Sequence, residues 1–67
     1  MTSDKIKDIL TNLGYKLTDI GNHWRTNALY RGGKNPTAVQ VYKDSGVWVD
    51  YVKDSKALPL EYLVQAT

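Results

Sequence analysis

The cationic side chains that precede the middle of the sequence are the strongest candidates for a functional site. Between positions 21 and 36 the chain carries Arg25, Arg31 and Lys34, with no acidic residue among them, and Tyr30 lies in the same run. Binding of single-stranded nucleic acid needs cations along the phosphates and aromatic faces for the bases, so this composition predicts such binding. The alternative is that the three cations are ordinary solvated charges.

Catalysis has much less support in the sequence. The chain has one histidine, His23, no cysteine, and three serines without a neighbouring base, so no catalytic triad can be assembled. The aspartates are scattered singly, which gives no acid–base pair. The segment Gly32-Gly33-Lys34 lacks the Walker spacing of a phosphate loop and precedes a predicted strand. We therefore predict that this chain is not an enzyme.

Length and composition limit the class of protein. The 67 residues suffice for one small domain, residues 1–67, and the formal net charge is only +2. Without cysteine there are no disulfides or thiolate zinc sites, so we predict no metal and no cofactor. No apolar run approaches the roughly 18 residues of a membrane span and no signal peptide is visible, so we expect a cytoplasmic protein without a membrane partner. The last predicted helix is cut short, and we expect the N-terminal module of a longer protein.

A β-hairpin forms the centre of the predicted fold. Apolar residues alternate with polar ones on both sides of a Lys43-Asp44-Ser45-Gly46 reversal, which is typical of two antiparallel strands. A three-residue loop, Asp44–Gly46, would pair Val41 with Val49, Tyr42 with Trp48, and Gln40 with Asp50. That register predicts a face that packs in the core, formed by Val39, Val41, Val49 and Tyr51.

The opposite face of the hairpin would present Tyr42, Lys43 and Trp48, where Lys43 and Trp48 extend the predicted nucleic-acid surface. The alternative is that Tyr42 and Trp48 are a cross-strand pair that only stabilises the sheet, by about 0.2–1 kcal/mol. Trp24 is expected in the core. Asp50 is expected to hydrogen-bond Gln40 or to pair with Lys53.

The remaining elements complete an α+β fold. Ser3 is a candidate N-cap for a helix whose apolar stripe ends before Gly14, and Pro59 suits the first turn of a short closing helix. Alternation around Trp24 predicts a strand near residues 23–30. We therefore predict a three-stranded antiparallel sheet, made of the hairpin and one added strand, flanked by an N-terminal and a C-terminal helix.

The order of these features resembles the N-terminal zinc-ribbon domain of DnaG-type and bacteriophage DNA primases. Lys34-Asn35-Pro36-Thr37 is similar to the family's Lys-Thr-Pro-Ser element, and Trp48-Val49-Asp50-Tyr51 is similar to its aromatic strand. Leu60-Glu61-Tyr62-Leu63 resembles the closing helix. The positions of the family's zinc ligands hold Ala28, Arg31, Asp50 and Lys53, which cannot form a zinc tetrahedron, and the family's Gly-Gly-Asp segment is absent.

The resemblance implies a metal-free, ribbon-like module of a phage-type DNA primase that engages the template. Such a module would bind single-stranded DNA weakly through Arg25, Arg31 and Lys34, with Tyr30 or Trp48 stacking on bases. If phage-encoded, it would act in the host cytoplasm. One alternative is a protein-interaction module that docks a helicase, another replication subunit or the rest of its own polypeptide. A third hypothesis is a small phage regulator of a host protein.

Overall fold

Two helices and five short strands form the part of the chain that the computed structural model describes, residues 2–67. The helices are α1 (Ser3–Asn12) and α2 (Leu60–Ala66), and a single 3-10 turn covers Leu29–Arg31. The strands are β1 (Thr18–Asp19), β2 (His23–Thr26), β3 (Val39–Tyr42), β4 (Trp48–Asp50) and β5 (Ala57–Leu58). The architecture is α+β.

The sheet has five antiparallel strands that lie side by side in chain order, so the prediction of a three-stranded sheet was wrong. The predicted strands correspond to β2, β3 and β4, and the two outermost strands were missed. β1 and β5 have two residues each, which is too short for an alternating pattern to be visible in the sequence. A tight turn at Gly21 and Asn22 joins β1 to β2, and the Ile20 amide donates to the His23 carbonyl oxygen at 3.0 Å.

The hairpin of β3 and β4 is shifted by one residue from the predicted register. Its loop has four residues, Lys43–Gly46, since the Tyr42 amide donates to the Val47 carbonyl oxygen at 2.9 Å. The ladder pairs Val39 with Asp50, Gln40 with Val49, and Val41 with Trp48. This register turns Trp48 toward the core. An aromatic side chain of this class buries about 150–250 Å², more than a valine can, so apolar burial favours the observed pairing.

The sheet has an inner face against the helices and an outer face away from them. The inner face consists of Trp24, Thr26, Val39, Val41, Trp48, Asp50 and Leu58. The outer face consists of Thr18, His23, Arg25, Gln40, Tyr42, Val49 and Ala57, with Tyr51 directly after β4. Two of the four residues that were predicted to form the core face were therefore wrong, because Val49 and Tyr51 belong to the outer face. Trp48 does not share a face with Tyr42.

Both helices pack on the inner face of the sheet. The stripe of α1 buries Ile6 and Leu10, and α2 buries Leu60 and Leu63 in the same cluster. Thr2 rather than the predicted Ser3 is the N-cap of α1, where its hydroxyl accepts from the Lys5 amide at 3.3 Å. Trp24 is 4% exposed, which confirms its expected place in the core. Neither helix within residues 2–67 is long and apolar enough to cross a membrane.

Candidate nucleic-acid interface

Arg31, one of the predicted DNA contacts, is bound to Asp50 inside the domain. Its Nε and Nη2 donate to the two carboxylate oxygens of Asp50 at 2.9 and 3.1 Å, and the Tyr30 hydroxyl donates to the same carboxylate at 2.6 Å. The backbone amides of Val52 and Lys53 also donate to Asp50. The expected partners of Asp50 were therefore wrong, because Gln40 bonds Arg25 and Lys53 contributes only its amide.

The hydrogen bonds around Asp50 keep this buried carboxylate charged. Burial alone would raise its pKa, but the hydrogen bonds from Arg31 and Tyr30 outweigh that effect and lower the pKa to about 2. The pKa of Tyr30 is raised to about 12, first by burial and then by its hydrogen bond to Asp50. The pKa of Arg31 is raised as well by its hydrogen bond to Asp50. Arg31 is thus a structural partner of Asp50, and only part of its charge faces solvent.

Trp48 and Tyr30 are held together on the inner side of the sheet. Trp48 is 4% exposed, and its indole N–H donates to the Pro59 carbonyl oxygen at 2.8 Å. The Tyr30 ring meets the Trp48 ring edge to face, with the centroids 5.5 Å apart. Lys53 lies 5.8 Å from the Tyr30 centroid. This burial leaves Trp48 no free face on which a nucleic-acid base could stack.

Lys43 also has an internal partner. Its Nζ lies 2.7 Å from the Asp19 carboxylate and 5.6 Å from the centroid of the Trp24 ring. The pKa of Asp19 is lowered by its hydrogen bond with Lys43. The hydrogen bond joins the turn after β3 to β1 across the edge of the sheet. Lys43 therefore lies on the side away from the outer face.

Arg25 is the predicted site residue that lies in the middle of the outer face. Its Nη1 donates to the Thr37 carbonyl oxygen at 2.9 Å, and its Nη2 donates to Gln40 Oε1 at 3.3 Å. The guanidinium carbon lies 5.6 Å from the centroid of the Tyr51 ring, a cation–π contact. These contacts hold the guanidinium in one orientation beside an aromatic ring that is 46% exposed.

Further aromatic rings border Arg25 on this face. His23 and Tyr42 are paired across β2 and β3, with their ring centroids 6.0 Å apart and inclined at 59°. Both side chains are half-buried. The outer-face positions of the five strands hold no aspartate or glutamate. This combination of rings and a fixed guanidinium is the kind of surface on which bases stack while phosphates are neutralised.

Lys34 lines a cleft that is separate from the strand positions of the outer face. The cleft has a volume of about 390 Å³, and we call it the lysine cleft; its walls are Gly14, Lys16, Asn27, Leu29, Lys34 and Pro36. Asn27 donates from Nδ2 to the Gly33 carbonyl oxygen at 2.8 Å, which fixes the loop that carries Lys34. The same loop continues to Thr37, whose carbonyl accepts from Arg25. One loop therefore carries both Lys34 and the carbonyl group that holds Arg25.

The structure divides the six predicted site residues into three groups. Tyr30, Arg31 and Trp48 cluster around Asp50 on the inner side, Lys43 bonds Asp19, and only Arg25 and Lys34 lie on or beside the outer face. Ion pairs in the described part of the chain join Arg31 to Asp50 and Lys43 to Asp19, and involve neither Arg25 nor Lys34.

Sequence reasoning missed two residues of this surface, Tyr51 and Lys16. Tyr51 was assigned to the core by the incorrect register. Lys16 lies outside the acid-free run of residues 21–36 on which the prediction rested, and no ion pair involves it within residues 2–67. A four-residue hairpin loop would have placed Tyr51 on the same face as Arg25. The signal in the sequence was Trp48, because a four-residue loop is the one that turns this large apolar side chain into the core.

Comparisons with protein-family models, with curated proteins and with solved structures give no match to the chain. The resemblance to primase zinc ribbons therefore stays a prediction. At the four positions where that resemblance places zinc ligands, Arg31 and Asp50 form an ion pair, the Lys53 amide bonds Asp50, and Ala28 is buried. No group of three His, Asp or Glu side chains within residues 2–67 could hold a metal ion.

Proposed function

We propose that this domain binds single-stranded DNA on the outer face of its sheet. The observation that carries the proposal is the fixed contact of Arg25 with the half-exposed ring of Tyr51, on a face that no helix covers. A base can stack on Tyr51 while the guanidinium faces the adjacent phosphate. His23 and Tyr42 extend the aromatic surface along the strands.

The charge distribution supports the same proposal. Lys16 and Lys34 line the lysine cleft, and the loop that carries Lys34 continues to Thr37, which bonds Arg25. None of the three cations forms an ion pair in the described part of the chain. Three phosphate contacts on single-stranded DNA give a log–log salt slope of only about −2, so the domain alone binds weakly. The other predicted site residues have partners within the domain instead: Arg31, Lys43, Tyr30 and Trp48.

In line with the resemblance to primase zinc ribbons, we propose a biological setting for this binding. The domain would be a non-catalytic, template-engaging module of a phage-type DNA primase and would act in the cytoplasm of the host. The segment Lys34-Asn35-Pro36-Thr37, on which part of the resemblance rests, joins the lysine cleft to Arg25. The template would thus meet the segment that gives the chain its similarity to the family.

A titration with labelled oligo-dT, followed by fluorescence anisotropy at low salt, tests the proposed binding. The Tyr51→Ala variant should weaken binding about 5-fold or more, because loss of one stacked base costs about 1–3 kcal/mol. Tyr62→Ala is the matched control, since Tyr62 is 52% exposed on α2, away from the outer face. Equal affinities for the two variants would overturn the proposal.

A second candidate function is protein interaction through a groove beside α2. The groove has a volume of about 630 Å³ and is lined by Ile9, Pro59, Leu60, Glu61, Val64 and Gln65. Its mainly apolar walls suit a helicase, another replication subunit or the rest of the same polypeptide. Light scattering with the Val64→Asp variant separates the two functions. Salt-insensitive association that this change abolishes, without a response to DNA, would favour the groove.

A further inference from the structure

The lysine cleft is lined by two lysines from distant parts of the chain. Lys16 follows α1 and Lys34 lies in the loop before β3, and both side chains are exposed at the walls of one cleft. None of the cleft residues is acidic, and neither lysine forms an ion pair in the region the structure describes. Two like charges in one cleft repel each other, so an anion bound between them relieves an unfavourable interaction.

The walls of the cleft also indicate what kind of anion fits. Leu29 and Pro36 give it apolar surface, and the side chain of Asn27 fixes the loop by its bond to Gly33. An apolar wall beside two ammonium groups matches a phosphate that carries a sugar or a base rather than a free inorganic ion. The volume of about 390 Å³ lies within the range of small-molecule sites, about 300–1,000 Å³.

The charge of the cleft distinguishes between two kinds of nucleotide phosphate. A phosphodiester inside a strand carries one negative charge. A terminal phosphomonoester carries about −1.5 to −2 at pH 7. Two uncompensated lysines therefore complement the monoester more closely than the diester. One short loop links the cleft to the outer face, because Lys34 and Pro36 line the cleft and the carbonyl of Thr37 accepts from Arg25.

We propose that the lysine cleft binds the terminal phosphate of a single strand whose neighbouring nucleotides lie on the outer face. Lys16 and Lys34 would neutralise the phosphomonoester, while Leu29 and Pro36 contact the attached sugar. The inference rests on the proposed function, because it assigns one end of the same bound strand. It adds that the domain binds single strands with a phosphorylated end more tightly than strands without one.

Three labelled oligo-dT strands of equal length test the preference: one with a 5′-phosphate, one with a 3′-phosphate, and one with hydroxyl groups at both ends. One of the two phosphorylated strands should bind at least about fivefold tighter than the unphosphorylated strand. One negative charge near an ammonium group in water contributes about that factor, and the phosphomonoester adds about 1.5 to 2 charges. Lys16→Gln and Lys34→Gln should each abolish this gain. Lys5→Gln, which changes an exposed lysine in the first turn of α1, should keep it.

Equal affinities for all three strands, or a gain that persists in both cleft variants, would overturn the proposal. The unphosphorylated strand separates this failure from failure of the proposed function, because its binding must still be weakened by Tyr51→Ala whether or not a strand end is phosphorylated. If no strand binds, a titration with inorganic phosphate followed by NMR decides the role of the cleft. Shifts of the Lys16 and Lys34 amides that Lys16→Gln removes would support the cleft, and their absence would contradict it.

Discussion

At the scale of single residues, the most constrained group is the carboxylate of Asp50. It is 1% exposed and accepts from five donors: the Tyr30 hydroxyl, two N–H groups of Arg31 and the amides of Val52 and Lys53. A buried charge costs free energy unless such partners compensate it. The group therefore ties the 3-10 turn to the end of β4 and to the segment after it. Sequence patterns could not predict the pairing of Asp50 with Arg31, because the two residues lie 19 positions apart in the chain.

The first prediction concerns the charge of Asp50. Asp50→Asn should lower the free energy of unfolding by about 2 kcal/mol, because a hydrogen bond to a charged group contributes about 1.5–3 kcal/mol. Urea unfolding followed by tryptophan fluorescence measures the change. Asp44→Asn is the matched control, since Asp44 is an exposed aspartate in the hairpin loop. A loss no greater than that of the control would show that the ion pair does not stabilise the fold.

The second prediction follows from the pKa of Asp50. Its pKa of about 2 lies below the ordinary value of 3.8, so the folded chain binds fewer protons than the unfolded chain between these values. The contribution of the Asp50 carboxylate to the free energy of unfolding should be complete above pH 4 and should fall as the pH approaches 2. The expected loss is about 2 kcal/mol, at about 1.4 kcal/mol for each pKa unit. Urea unfolding between pH 5 and pH 2 should show this loss in the native chain, and Asp50→Asn should lack it.

At the scale of elements, the sequence predicted the type of each long segment but not the strand register. The apolar stripe of α1 and the closing helix are confirmed. The β3–β4 hairpin is ambiguous in sequence because apolar residues occupy both parities of β4, and Trp48 decides between them by its size. The turn at Gly21 and Asn22 is a two-residue hairpin signal that could have revealed β1. β5 has no comparable signal.

The third prediction tests how the hairpin loop packs on α2. Gly46 has φ of 77°, and a Cβ there would lie 3.0 Å from Leu60 Cβ. Gly46→Ala should therefore cost strain of about 1–2 kcal/mol plus overpacking of about 1–3 kcal/mol. Gly32→Ala is the control, since Gly32 has a similar φ of 71° but no atom within 4 Å of the added Cβ.

The difference between the two glycine variants isolates the contact with Leu60. Gly46→Ala should lower the melting temperature clearly more than Gly32→Ala does, as measured by circular dichroism. Equal losses would mean that backbone strain alone matters and that the loop does not pack closely on α2.

At the scale of the whole molecule, the fold separates the side of the sheet that the helices cover from the side on which we propose that DNA binds. The inner face holds both helices, both tryptophans and the Asp50 cluster, and the outer face keeps Arg25 and Tyr51 toward solvent. The sequence predicted the cationic run of residues 21–36 as the candidate site. It could not predict which cations have carboxylate partners, because the acids that pair with Arg31 and Lys43 come from other elements.

The fourth prediction concerns salt. Affinity for oligo-dT should fall with a log–log slope of about −2 between low and moderate ionic strength, from contacts of Arg25, Lys16 and Lys34 with phosphates. Arg25→Gln should reduce the steepness by about 0.7, the value for one phosphate contact on a single strand. Lys5→Gln, in the first turn of α1, should leave the slope unchanged. A slope that Arg25→Gln does not alter would show that Arg25 makes no phosphate contact.

The most direct test of the central claim is NMR mapping of the bound surface. Amide shifts of the 15N-labelled domain are followed during titration with unlabelled oligo-dT at low salt. The account predicts that the largest shifts lie at Arg25, Gln40, Tyr51 and their strand neighbours, while α1 and α2 shift little. Shifts concentrated along α2 and the groove at Ile9 and Val64, or no shifts at all, would contradict it.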